Sequence, residues 1–176
     1  AVFGPNTAFT ASISDRYDID GSTIPSSWTE GETIALFDGS SNKTITVSQS
    51  TQTTSFTVDV TQEAEYVYAI SPSGYSSFAD GTLQVEFPSE QTVGKSPAFL
   101  VSKAGSAHMF FSSIHSEVFF TVDMDGVKTV EFEASAPISG RCKVDFADGI
   151  AINEVSSSKV TLKGDFIKGE KYSFTC

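Results

Sequence analysis

The chain has 176 residues, 39% of them hydrophobic, enough to bury a core without disulfide or metal staples. Its 22 acidic residues outnumber 11 basic ones, a net charge of -11 with a pI near 4.4, which disfavours partners held through phosphate contacts, nucleic acid and anionic membrane surfaces alike. Apolar runs such as Met109-Phe110-Phe111 and Val118-Phe119-Phe120 are far too short to span a bilayer, and no signal-peptide hydrophobic segment stands at the start. Beginning at Ala1 without a methionine, the chain is expected to be a soluble mature region from which a signal peptide or lipoprotein cysteine has been trimmed upstream.

The first strand-like run is Phe9 to Ser14. Arg16 follows it and enters the polar segment Tyr17-Asp18-Ile19-Asp20-Gly21, read as an accessible loop. Asp18-Ile19-Asp20-Gly21 resembles the middle of a calcium loop. The first ligand position would be Arg16 and the twelfth Ser27, so the bidentate acid is missing and an exposed loop is the better reading. Trp28, the only tryptophan, immediately precedes a strand and reads as a core anchor rather than a ligand contact. From Thr54 to Val60, Phe56, Val58 and Val60 alternate with Ser55, Thr57 and Asp59, the period of a half-buried strand. Thr61 to Glu65 alone hints at helix, one turn at most. The segment Ser73-Gly74-Tyr75-Ser76-Ser77-Phe78 then places Tyr75 and Phe78 in a predicted loop, where exposed rings suit stacking on sugars.

In the second half, Leu83, Val85 and Phe87 alternate with polar residues, as do Val118, Phe120 and Val122. Asp123-Met124-Asp125-Gly126 is expected to close a hairpin, since Asp-Gly tolerates positive φ. Strand-like runs follow through Lys128, Val130, Phe132 and Ala134, through Cys142, Val144 and Phe146, through Val160 and Leu162, and through Tyr172, Phe174 and Cys176. All six prolines fall between runs, where a missing N–H costs no ladder bond. The pattern predicts an all-β fold, an antiparallel β-sandwich with no internal repeat, linker or composition break. Trp28, Ile34, Leu36, Phe56, Val58, Leu83, Val85, Phe120, Val130, Val144, Leu162 and Phe174 are its expected core.

Catalytic equipment is not visible. His108 and His115 lack metal-ligand companions at zinc-like spacing, and Thr121, Asp123, Asp125 and Gly126 fail as a calcium loop because the twelfth position is Phe132. No G-x-S-x-G or S-x-x-K motif and no phosphate-cradling glycine loop occurs. Glu63 with Glu65, and Glu131 with Glu133, read as solvent-facing carboxylates. The expectation is a non-enzyme with no metal, no cofactor and no nucleophile–base pair within hydrogen-bond reach. Cys142 and Cys176 both share apolar faces; a disulfide between them and two buried free thiols are both open readings.

Four motifs in order carry a resemblance. Trp28-Thr29-Glu30-Gly31-Glu32-Thr33-Ile34 matches a W-x-x-G-[DE]-x-I strand start and Thr53-Thr54-Ser55-Phe56 a threonine-rich strand ending in phenylalanine, while Tyr66 to Pro72 comes near a Y-x-A-I-x-P strand with one residue more, and Phe87 to Thr92 matches an [LF]-P-x-E-Q-T segment. From about Phe9 onward the chain resembles the fimbrillins, fimbrial and cell-surface subunits of Bacteroidales-type bacteria. The resemblance implies that residues 1–176 form one transthyretin-like β-sandwich, the N-terminal domain of a larger protein whose second domain would follow Cys176. It implies an exported lipoprotein at the cell surface, outer membrane or fimbrium, active in cell adhesion. Its partners would be other pilus subunits joined by strand addition, with host or glycan ligands besides. It also implies proteolytic processing, for which Arg16 is the candidate, since the only other arginine, Arg141, opens a predicted strand. A surface glycan-binding module of a polysaccharide-uptake system is the alternative, resting on Tyr75 and Phe78.

Overall fold

The structure, a computed structural model, describes residues 3–17, 22–24, 26–147, 150–153 and 156–176, without the side chains of residues 16, 17, 24, 151 and 153. The Asp18-Ile19-Asp20-Gly21 segment weighed for calcium lies outside the described residues. The fold is nearly all β, built mainly of antiparallel sheets in a β-sandwich-like arrangement, with no α-helix among the described residues.

The chain forms two compact units, Ala1–Gly81 with Phe99–Ile114, and Thr82–Ala98 with His115–Cys176. In chain order the first unit opens with β1 (Thr7–Ile13), β2 (Arg16–Tyr17), β3 (Thr23–Ile24) and β4 (Thr33–Phe37). It continues with β5 (Asn42–Thr46), β6 (Thr53–Val58), β7 (Val67–Ser71), a 3-10 turn at Ser73–Tyr75, and β8 (Ser76–Ala79). The chain then supplies β9 (Thr82–Phe87) and β10 (Glu90–Thr92) to the second unit, and returns to the first with β11 (Leu100–Ala104) and β12 (His108–Ser113). The second unit is completed by β13 (Glu117–Thr121), β14 (Thr129–Glu133), β15 (Gly140–Asp145), β16 (Ala151–Asn153), β17 (Lys159–Lys163) and β18 (Lys171–Thr175).

The first unit is organised by a seven-stranded sheet in the order β5-β4-β7-β11-β12-β1-β6. One face of this sheet lines a single core that includes Phe9, Ala11, Ile34, Leu36, Ala69, Met109 and Phe111. Ile45 of one edge strand and Phe56 of the other both pack on that core, so the sheet folds over on itself. Trp28 sits in the fold, fully buried, with its ring 5.0 Å from that of Phe111 in an edge arrangement and its indole N–H donated to the Ala11 carbonyl at 2.9 Å. The core-anchor reading therefore holds, and the polar tip of the ring is satisfied, as burial requires.

In the second unit the sheet β10-β17-β14 packs on the ribbon β13-β18. Val160, Leu162, Val130 and Phe132 come from the first layer, and Phe120, Tyr172 and Phe174 from the second. Alternation does the sorting: Lys159 and Lys163 flank Val160 and Leu162 on β17 and lie outside, where Lys159 meets Glu131 at 3.2 Å and Lys163 meets Glu90 at 2.7 Å. The strands β16, β15 and β9, hydrogen-bonded in that order within a four-stranded sheet, bury Leu83, Val85, Phe87, Cys142 and Val144. Each buried apolar side chain contributes roughly 1.5 to 3 kcal/mol. Phe56, Val58, Phe120 and Val130, expected in the core, are only partly buried at its margins.

Two local expectations need correction. Thr61 to Glu65 forms a turn, while the short helical piece falls instead at Ser73–Tyr75. Residues 123–126 do turn, with Gly126 at φ 78°, but the strands on either side, β13 and β14, belong to different sheets. The segment is thus a crossing from one layer to the other and not a hairpin, because Phe120 and Phe132 each face the shared core from opposite layers.

Candidate functional site: an open ribbon edge and its cleft

The residues singled out from sequence do not converge. Tyr75 meets Phe99 edge-on at 5.4 Å, and Phe78 stacks between Phe37 at 5.6 Å and Tyr68 at 5.0 Å. Both rings are half-buried among the chain's own aromatics, so they do not form the exposed sugar platform expected of them. Arg16, expected in an open loop, pairs with Ile24 in the two-residue antiparallel ladder of β2 and β3. A protease needs extended, unpaired backbone, and this pairing removes the argument from loop accessibility.

Cys142 and Cys176 are free thiols. They stand on strands of different sheets, β15 and the end of β18, and Cys142 directs its Sγ to the Val85 carbonyl at 3.4 Å, so the disulfide reading is corrected in favour of two separate thiols. Burial pushes the Cys142 thiol up to about 11, and burial raises that of Cys176 as well, which makes both poor nucleophiles.

One expected absence is overturned. The parallel pairing of β1 with β12 sets Thr10 opposite His108, and the imidazole lies between two hydroxyls: Thr10 Oγ1 at Nδ1 and Ser12 Oγ 3.3 Å from Nε2. A hydroxyl–imidazole pair thus does lie within hydrogen-bond reach. Residues 96 and 98 positions apart are brought together only by sheet topology, which no local motif encodes. Among the described residues no carboxylate hydrogen-bonds to His108, so the base has no acidic orienting partner of the kind a triad uses. The exposed Phe110 ring lies 4.1 Å from the imidazole.

The feature with most to offer a partner is the ribbon β13-β18, where Glu117 pairs with Thr175, Phe119 with Ser173 and Thr121 with Lys171. Ser116 and Cys176 exchange both backbone hydrogen bonds, at 2.7 and 3.0 Å. By the alternation of an antiparallel ladder, Val118 and Phe120 then also bond to β18, whereas Glu117, Phe119 and Thr121 direct their N–H and C=O groups away from it. Among the described residues no strand pairs with β13 on that side. The same strand exposes Phe119 to 55% and Val118 to 37%.

The opposite edge of the ribbon is treated differently. Gln91, buried on β10, accepts from the Thr175 N–H at 2.9 Å and donates to the Thr175 carbonyl at 2.7 Å, with a further bond to the Pro88 carbonyl at 3.0 Å. Its carboxamide occupies the place of one peptide unit of an adjacent strand. The Thr175 hydroxyl donates to the Pro97 carbonyl at 2.7 Å, locking the same point again.

Beside this latch opens a cleft of about 360 Å³ lined by Val93, Gly94, Ser96, Glu117, Lys171, Tyr172 and Ser173. The Ser173 hydroxyl donates to Glu117 Oε1 at 2.6 Å, and the Lys171 ammonium stands 4.3 Å above the Phe119 ring. Ser96 Oγ is buried without a hydrogen-bond partner. Sequence reasoning missed this constellation because its members come from three separated stretches; the signal that was available was the charged pair Glu117 and Lys171 flanking apolar strand residues. No group of His, Cys, Asp and Glu among the described residues is placed to hold a metal ion.

Fold and site together describe an all-β protein in which the β13 edge is unpaired among the described residues and carries the exposed Phe119 and Val118. No family model, no curated protein and no solved structure matches the chain.

Proposed function

We propose that this chain is a non-enzymatic cell-surface subunit of the fimbrillin kind, which joins neighbouring subunits by strand addition. The transthyretin-like topology, export to the cell surface and a role in adhesion belong to the same proposal, which rests on the sequence resemblance. The observation that carries it is the edge of β13, unpaired among the described residues, where outward-facing backbone groups at Glu117, Phe119 and Thr121 coincide with exposed Phe119 and Val118. An open edge with apolar side chains is a template for another strand, and main-chain hydrogen bonds supply the affinity. The occupant is an extended segment of a second subunit. The alternative of a sugar-stacking module loses its two carrying residues, since Tyr75 and Phe78 are engaged within the chain.

Phe119→Pro tests the reading cleanly. Phe119 sits at a position whose N–H faces the open edge, so proline there leaves the ladder with β18 intact while removing a bond the incoming strand needs. The expected result is loss of oligomers in size-exclusion chromatography and electron microscopy of the full-length protein, with an unchanged circular dichroism spectrum. Assembly of the variant at the parent's rate overturns strand addition at β13.

A further inference from the structure

We propose that the segment filling the β13 edge is β13 of a second copy, the two strands running antiparallel about a two-fold axis at Phe119. This rests on the reading of β13 as a strand-addition edge and names its occupant. The backbone groups free to pair are those of Glu117, Phe119 and Thr121. With the axis at Phe119, that residue faces its own copy and Glu117 faces the partner's Thr121, so every outward N–H and C=O of the strand is satisfied. Moving the axis to Val118 or Phe120 leaves one of the three in each copy facing residues outside β13. Moving it to Glu117 sets two carboxylates face to face, which is unfavourable across a strand pair. Register is therefore chosen by the five residues of β13 themselves.

The side chains fit the same register. On one face Phe119, 55% exposed in the single chain, meets the partner's Phe119. On the other, the exposed Val118 lies opposite the partner's Phe120, so the apolar layer around Phe120 continues from one copy into the next. Thr121 pairs with Lys171 within the chain and with the partner's Glu117 across the axis, which places Lys171, Thr121 and that carboxylate in one row on one face. The two charges are opposite and two strand spacings apart, about 10 Å between Cα atoms, within the joint reach of a lysine and a glutamate. Lys171 already leans over β13, its ammonium 4.3 Å from the Phe119 ring. Symmetry supplies this attraction twice, against the repulsion of two copies at -11 each. Two other strand edges of the same unit are guarded: Gln91 caps the β18 edge, and β14, an outer strand of its sheet, carries Glu131 and Glu133. The middle of β13, Val118-Phe119-Phe120, carries no charge.

The test is sedimentation equilibrium of the unaltered chain up to about 1 mM in about 150 mM salt, with isotope-filtered NMR on a mixture of labelled and unlabelled copies. A pairing this short lies at the weak end of interfaces, and a reversible dimer with a Kd below about 1 mM is expected. Its signature is a cross-copy contact between the Hα atoms of Val118 and the partner's Phe120, which this register makes a closely spaced, non-hydrogen-bonded pair. Thr121→Glu sets a carboxylate against the partner's Glu117 twice over and is expected to weaken the dimer about fivefold or more. Glu117→Lys combined with Thr121→Glu is expected to restore the parent's affinity, because the facing charges are then opposite. Both positions are exposed, and a circular dichroism spectrum matching the parent's shows that the variants fold. Cross-copy contacts from β13 to a different segment, or failure of the double variant to restore affinity, overturn the two-fold pairing and leave strand addition at β13 standing. A chain that stays monomeric throughout, or associates without touching β13, overturns both.

Discussion

Asp38 shows how much one side chain can be asked to hold. Buried at the turn between β4 and β5, its carboxylate accepts from the Ser40 and Ser41 N–H groups at 3.0 and 2.9 Å, from both their hydroxyls, and from the Thr61 N–H at 3.1 Å. Burial alone would raise its pKa, but the backbone N–H groups of Ser40, Thr61 and Ser41 and the Ser40 hydroxyl outweigh it and bring the value to about 2. Because the folded value lies below the unfolded one, the stabilisation is present above about pH 4 and is lost as pH falls through about 2, amounting to about 2 kcal/mol. Asp38→Asn is therefore expected to lower the urea midpoint at pH 7, with the gap to the parent closing as pH is lowered from about 5 towards 2. Trp28 gives a second test at this scale. Trp28→Ala removes a fully buried ring and takes away the indole donor of the Ala11 carbonyl, an expected loss of about 3 to 5 kcal/mol in denaturant unfolding, and the parent is expected to show the blue-shifted emission of a buried indole.

At the scale of single elements, Gln91 separates the two edges of the β13-β18 ribbon. One edge is shut by a side chain that imitates a strand, and the other is left open with Phe119 exposed. Gln91→Ala orphans the Thr175 N–H and C=O and is expected to cost about 2 to 4 kcal/mol, read as a lower thermal midpoint. Gln91→Glu keeps the acceptor but loses the donor, and is expected to be no better. The strands themselves were legible in sequence wherever alternation was strong, as in β9 around Val85, β17 around Leu162 and β18 around Phe174. Trp28 was legible as an anchor because a lone tryptophan before an apolar run has few other uses. The partners of those strands were not legible. The pairing of β1 with β12 and of Gln91 with Thr175 joins residues 98 and 84 positions apart, and periodicity reports which face is buried but not against what. Tyr75 and Phe78 were misread for the same reason: their covering rings, Phe99, Phe37 and Tyr68, are supplied by other elements.

For the molecule as a whole, the net charge of -11 bears on any association between copies. Like-charged subunits repel over about 8 to 10 Å at moderate ionic strength, so strand addition is expected to speed up as salt rises from about 10 to 150 mM. Light scattering against salt concentration checks this, and an assembly rate that falls with salt would point to an attraction between opposite patches instead. The sequence offered no boundary within residues 1–176, whereas the chain divides into two compact units. No linker marks the division because the chain crosses at residues 81–82, 98–99 and 114–115 within strand-rich sequence of unchanged composition. The interleaving has a consequence for synthesis. A ribosome delivers β9 and β10 before β15 and β17 exist, so Leu83, Val85 and Phe87 leave the exit tunnel ahead of β15, the later strand that pairs with them in antiparallel register. The Gln91 carboxamide waits longer still, for a residue 84 positions downstream. The nascent chain thus carries a sticky segment until β15 has been made, and a holding chaperone has its natural footprint there.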